Sequence, residues 1–147
     1  MSQSKINMKN IEEIKNALDF KSLKVCVIGI GRIGLPTALS FAKSGLHTIG
    51  VDINEDLIQK INSGVFPLKD EPGYEDIFKQ VLKEKTFSVT SKIENAVPHC
   101  DLILLSLPTP MDENNIPDYS ALRSVATQLS DILAPNSLVI VESTIEP

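Results

Sequence analysis

Residues 24–52, KVCVIGIGRIGLPTALSFAKSGLHTIGVD, decide the fold. The stretch reads as an apolar strand, a glycine-punctuated turn, a helix, a second strand and a closing acid. Gly29, Gly31 and Gly34 make G-x-G-x-x-G directly after the apolar run Val25 to Ile28, and a helical pattern begins at Ile33. A bare glycine triplet carries little information, but set between a strand and a helix it specifies a dinucleotide-binding turn. Gly29 permits the tight turn, Gly31 clears space for backbone to approach a pyrophosphate, and Gly34 lets helix and strand pack closely. Unpaired N–H groups and the positive end of the macrodipole at the helix start then favour anionic oxygens. Asp52 stands 18 residues beyond Gly34, at the end of the strand Thr48 to Val51. A carboxylate there accepts hydrogen bonds from a ribose diol and repels a 2′-phosphate, so the expected ligand is NAD and not NADP.

The flanking sequence repeats this alternation. The first helix, about Ile33 to Ser44, stops at Gly45, and Asn54 caps a helix from about Glu55 to Asn62 that ends at Gly64. Pro67, Pro72 and Gly73 make the next segment an irregular loop. A helix from about Tyr74 to Lys83 leads to the strand Phe87 to Thr90, and a short helix is expected over Lys92 to Val97, broken by Pro98. The strand Leu102 to Leu107 lies in an almost continuously apolar run, DLILLSL (101–107), as a strand covered on both faces should. After the loop PTPMDENNIPD, Asp118 is placed to cap a helix from about Tyr119 to Leu133, with Leu122, Val125, Ala126, Leu129 and Leu133 on one face. Leu138 to Glu142 is the last strand. Before residue 24, Ile11, Ile14 and Leu18 recur at helical spacing, which predicts a helix from about Lys5 to Asp19. That helix serves either as an arm on its own domain or as a subunit contact.

Alternating strands and helices give an α/β, doubly wound Rossmann fold with a parallel sheet of order 3-2-1-4-5, spanning residues 24–147 behind a helical extension at 1–23. Ligands of such sheets lie beyond the carboxyl ends of the strands, at the switch point between strands one and four. Gathered there are the glycine turn, Asp52, the PTP loop and the pair Ser143 and Thr144.

At 147 residues and 42% apolar, the chain is long enough for one domain with its own core. A net charge of −5, with the acids scattered, argues against nucleic acid and against an anionic membrane surface. No apolar run approaches the roughly 20 residues that span a bilayer, and MSQSKINMKN lacks the apolar core of a signal peptide, so the cytoplasm is the expected compartment. Cys26 and Cys100 lack metal-ligand spacing and read as packing residues. No metal is expected: the acids and amides of DENN (112–115) read as a solvated loop, and His47 and His99 as structural histidines.

With these residues assembled, the chain resembles the N-terminal, NAD-binding domain of the UDP-glucose/GDP-mannose dehydrogenase family. The resemblance runs from about Lys24 to the last residue and rests on GIGRIGLPTA (29–38 within it), GVDIN (50–54), EPG (71–73), SLPTP (106–110), PD (117–118) and EST (142–144). GLP and PTP are more specific than the glycines, and the pattern is more similar to the UDP-N-acetyl-D-mannosamine 6-dehydrogenases of the family than to its UDP-glucose 6-dehydrogenases. The resemblance implies oxidation of a UDP-sugar at C6 to the carboxylate with two NAD, by a homo-oligomeric enzyme. It implies cofactor contacts at Arg32, Ile33, Asp52 and Thr109. Arg32 reads equally as a solvated surface residue, and Thr109 has the alternative of only capping its turn. In two places the chain departs from the closest subgroup: Arg32 stands where tyrosine is usual, and Leu57 where a basic residue often lies.

Family members continue for several hundred residues and carry their nucleophilic cysteine in a second domain. The expectation is therefore a fold truncated before its last helix and strand, with no catalytic residue of its own and no turnover in isolation. Glu142 and Glu146 match no catalytic carboxylate and read as surface or capping groups. The alternatives to this reading are the NAD-binding portion of a UDP-glucose 6-dehydrogenase, or a stand-alone nucleotide-binding or regulatory module.

Overall fold

A computed structural model describes residues 6–143; Lys5, Thr144 and Glu146 lie outside the described residues. Five parallel strands, β1 (Val25–Ile28), β2 (Thr48–Val51), β3 (Phe87–Thr90), β4 (Leu102–Leu105) and β5 (Leu138–Val141), form one sheet of order β3-β2-β1-β4-β5. Five helices accompany them: α1 (Ile11–Asp19), α2 (Gly34–Lys43), α3 (Glu55–Asn62), α4 (Tyr74–Glu84) and α5 (Ser120–Ile132).

The central strands read as unbroken apolar runs because both of their faces are covered. Val25 and Val27 of β1, with Leu102 and Leu104 of β4, face a core completed by Leu35, Ala38 and Leu39 of α2 and by Phe78 and Val81 of α4. Cys26 and Ile28, with Ile103 and Leu105, face the opposite core, closed by Ile93, Val97 and Leu129. Alternation of side chains along the strands feeds the two layers from one sheet. At the far end from the glycine turn, the buried Asp101 carboxylate accepts from the Lys24 amide at 2.9 Å and ties the start of β1 to that of β4.

Several boundaries differ from the sequence-based expectation. Helix α1 begins at Ile11, because the Asn10 side chain accepts from the Glu12 and Glu13 amides at 3.0 and 3.2 Å. Its buried contact is Ala17, while Ile11 and Leu18 of the expected apolar face remain exposed. The small alanine lets this short helix lie against the α2 core, and Met8 donates to the Asn136 carbonyl at 3.1 Å, so the segment packs on its own domain.

The helix expected over Lys92 to Val97 is instead two 3-10 turns, Ile93–Asn95 and Val97–His99. Pro98 does not break a helix. It sits in the first positions of the second turn, where no N–H partner is needed. Strand β4 ends at Leu105, two residues early. In α5, Ile132 replaces Leu133 on the packed face and Ala126 is exposed. Tyr119 occupies the cap position without a side-chain capping bond; Asp118 instead accepts from the Ser120 amide at 2.9 Å and from the Ser120 hydroxyl. Those two bonds hold the Asp118 carboxyl below its ordinary value.

Cys26 and Cys100 are both fully buried and neighbour each other across the β1–β4 layer, a pairing that their separation in sequence concealed. The hydrogen bond to Cys100, and then burial, push the Cys26 thiol well above its usual range. Among the described residues no helix is long and apolar enough to cross a membrane.

Candidate functional site

A cleft of about 940 Å³ opens at the carboxyl ends of the strands, a volume suited to a small organic ligand. Its floor is the glycine turn joining β1 to α2. Gly29 has φ +90°, and a Cβ there would stand 2.1 Å from the Ser106 carbonyl oxygen. A Cβ on Gly34 would stand 1.7 Å from the Gly29 carbonyl oxygen, so this glycine lets α2 start directly against the turn. Gly31 differs: a Cβ there would meet nothing within 4 Å. Its bare backbone lines the open cleft rather than a packed contact.

Helix α2 enters without a side-chain cap at Ile33 and without an acid in its first turn. By contrast α1 and α3 are capped by Asn10 and Asn54 and carry Glu12, Glu13, Glu55 and Asp56 in their first turns. The start of α2 therefore keeps its positive potential for an anion arriving over Gly31. Arg32 and Ile33 are both exposed on the cleft wall at this point.

Asp52, just past β2, is half-buried and lines the cleft. Its Oδ2 accepts from the Ile30 amide at 3.1 Å and its Oδ1 from the Asn54 amide at 3.0 Å. The carboxylate thus fixes the glycine turn and the entry to α3, and each oxygen keeps lone-pair capacity for a hydroxyl donor. Leu57, at the position where a basic residue often lies in the family the chain resembles, is packed against the core. The cation on this side is Lys92, which lines the cleft after β3 together with Ser91.

Across the switch point, Ser106, Leu107, Pro108 and Thr109 form the opposite wall. Ser143 holds that wall in place: its hydroxyl donates to the Leu107 carbonyl at 2.8 Å and accepts from the Leu107 amide at 3.0 Å. The loop closes on itself beyond Thr109. Asp118 donates its amide to the Pro110 carbonyl at 2.8 Å, Met111 bridges Pro117, and Asp112 Oδ1 accepts from the Asn114 and Ile116 amides at 2.8 and 2.9 Å. The PTP and PD motifs are the two ends of this closure, and the Asp112 carboxylate is spent within it. Among the described residues no cluster of three or more His, Cys, Asp or Glu is placed to hold a metal.

Gly29, Gly31, Arg32, Ile33, Gly34, Asp52, Thr109 and Ser143 all line this one cleft. Thr144 lies outside the described residues. Further cleft residues carried no site signal in the sequence, among them Ser91, Lys92, Ile53, Ser124, Gln128 and Glu142. Ser124 and Gln128 of α5 recur at helical spacing beside Val125, on the border of the apolar face of that helix. Glu142, read as a surface or capping group, accepts from the Thr37 hydroxyl of α2 at 2.9 Å.

The residues fit a dinucleotide: an acceptor for a diol at one end, an uncapped helix start over a side-chain-free backbone in the middle, and a stiff loop at the other end. Comparisons with known proteins agree. The family described as "UDP-glucose/GDP-mannose dehydrogenase family, NAD binding domain" matches residues 23–147. The UDP-N-acetyl-D-mannosamine dehydrogenase of Pyrococcus horikoshii is 36% identical over 125 residues, which are 85% of this chain and 29% of that protein. A solved structure of UDP-D-ManNAc dehydrogenase from the same organism superposes with a TM-score of 0.78, again over 85% of this chain and 29% of the other. The NDP-N-acetyl-D-galactosaminuronic acid dehydrogenase of Methanosarcina mazei, 29% identical with a TM-score of 0.78, covers 98% of this chain and 31% of its own. The chain spans under a third of the length of these relatives.

Proposed function

The chain belongs to the UDP-glucose/GDP-mannose dehydrogenase family and carries its NAD binding domain, and from that premise we propose that its cleft presents NAD for the oxidation of UDP-N-acetyl-D-mannosamine at C6 to the uronic acid. The carrying observation is the order of groups along the cleft: Asp52 at one end, the open backbone of Gly31 in the middle and Thr109 at the other.

In this reading Asp52 receives the adenosine ribose diol. Its negative charge disfavours a 2′-phosphate. The Gly31 backbone and the start of α2 receive the pyrophosphate, and the Arg32 guanidinium adds a fork of donors beside it. Thr109, stiffened by Pro108 and Pro110, stands against the nicotinamide side, and Ser143 keeps that loop in register through Leu107. NAD, when bound, supplies the oxidising chemistry, two equivalents being needed to take an alcohol to a carboxylate.

The substrate assignment is supported by the identity to UDP-N-acetyl-D-mannosamine dehydrogenases from several organisms. Neither Cys26 nor Cys100 lines the cleft, and both are buried, so these residues offer no thiol nucleophile to a bound sugar. Hence this chain alone binds the cofactor without turning over. The test incubates it with UDP-N-acetyl-D-mannosamine and NAD while following NADH absorbance and, in parallel, NAD binding by calorimetry. Binding without NADH formation is expected; NADH production above the no-enzyme rate overturns the division of labour.

A further inference from the structure

Glu142 carries an oxygen that is unpaired among the described residues. The residue follows β5, at the carboxyl edge of the sheet. Its Oε1 is held by the Thr37 hydroxyl at 2.9 Å, and its Oε2 is buried with no hydrogen-bond partner among the described residues. A buried acceptor left without a donor costs free energy, and such groups in folded proteins call for an explanation. Here the residue is part of the cleft wall, so the missing donor has somewhere to come from.

The topology says which part of a ligand reaches it. The sheet order β3-β2-β1-β4-β5 puts Asp52, after β2, on one side of the glycine turn and Glu142, after β5, on the other. A dinucleotide that lays its diol on Asp52 and its pyrophosphate over Gly31 extends its remaining half toward β4 and β5. Phosphate oxygens are excluded as neighbours of a carboxylate by like charge. An uncharged donor satisfies it, and the nicotinamide riboside half offers two kinds, the carboxamide N–H and the ribose hydroxyls.

Resting on the NAD reading above, we propose that Glu142 is a cofactor-binding residue whose Oε2 accepts a hydrogen bond from the nicotinamide riboside half of NAD, with Thr37 as the positioning residue that holds the carboxylate for it. The inference assigns a role to the first residue of the EST motif.

Calorimetric affinities of the wild type, Glu142→Gln and Thr37→Val for NAD, ADP-ribose and ADP test it. Glu142→Gln is isosteric, and thermal melting of each variant monitors the fold. The expected result is roughly a tenfold loss of NAD affinity in Glu142→Gln with ADP affinity held within about twofold, and a smaller NAD-selective loss in Thr37→Val. ADP-ribose, which lacks the nicotinamide, identifies the donor: unchanged affinity assigns the carboxamide, and a loss matching that for NAD assigns the ribose hydroxyls. Unchanged NAD affinity, or equal losses for all three ligands, overturns the proposal while leaving the NAD reading intact. Failure of the wild type to bind NAD overturns both.

Discussion

The carboxylate of Asp52 accepts a hydrogen bond from the amide of Ile30 at 3.1 Å, so the acid proposed to receive the ribose also holds the turn proposed to receive the pyrophosphate. In that proposal one side chain sets both ends of the adenosine half. Asp52→Ala leaves the Ile30 and Asn54 amides without that acceptor. It should cost about 1–3 kcal/mol in denaturant unfolding as well as weakening NAD. Asp52→Asn keeps one acceptor oxygen and removes the charge, so it should lose less stability and more of the discrimination against NADP. Unfolding midpoints and the two affinities, measured on both variants, separate the two roles.

The three glycines should separate by what surrounds them. Gly31→Ala meets no atom within 4 Å and no positive φ, so its stability should stay within about 0.5 kcal/mol of wild type. Its methyl group projects into the cleft proposed to take the pyrophosphate, and NAD affinity should fall by about tenfold or more. Gly34→Ala collides with the Gly29 carbonyl at 1.7 Å and should destabilise by about 3 kcal/mol or more. Melting curves beside NAD titrations would contradict this account if Gly31→Ala bound normally.

Ser143 acts on the cleft through Leu107. Ser143→Ala strips both the amide and the carbonyl of Leu107 of their partner. A loss of about 1–2 kcal/mol is expected, together with faster hydrogen exchange at the Leu107 amide. Protection at Leu107 equal to wild type would show that the loop is held by other means.

The thiol pair should be unreactive and should impose an alkaline limit on stability. The Cys26 pKa is raised in the folded state by the Cys100 hydrogen bond and by burial. Its stabilising contribution is therefore full below the unfolded cysteine pKa of about 8.5 and is lost as pH rises through and beyond that value. Under reducing conditions the unfolding free energy should decline above that pH, and less steeply in Cys26→Ala. A thiol reagent should label neither cysteine until the chain unfolds.

Much of this was legible in the sequence for a physical reason: strand and turn chemistry is local. The runs Val25–Ile28 and Leu102–Leu105, the glycine turn and the Asn54 cap each announce themselves within a few residues, and the sheet order follows from their alternation. What stayed hidden depends on contacts between distant segments. Ala17 is buried instead of Leu18 because of how α1 lies on the α2 core. Cys26 meets Cys100 only once β1 and β4 pair. Glu142 looked like a surface acid because nothing near it in sequence reveals Thr37, which reaches it across 105 intervening steps of chain. Short elements were the least legible: the 3-10 turns around Pro98 lack the periodicity that marks a longer helix.

The central claim is that Asp52 and the glycine turn select NAD, and competing calorimetric titrations of NAD and NADP into this chain test it most directly. The account predicts that NAD binds with an affinity at least about tenfold above that of NADP, since a 2′-phosphate would face the Asp52 carboxylate. Equal affinities for the two dinucleotides, or no binding of NAD, would contradict it.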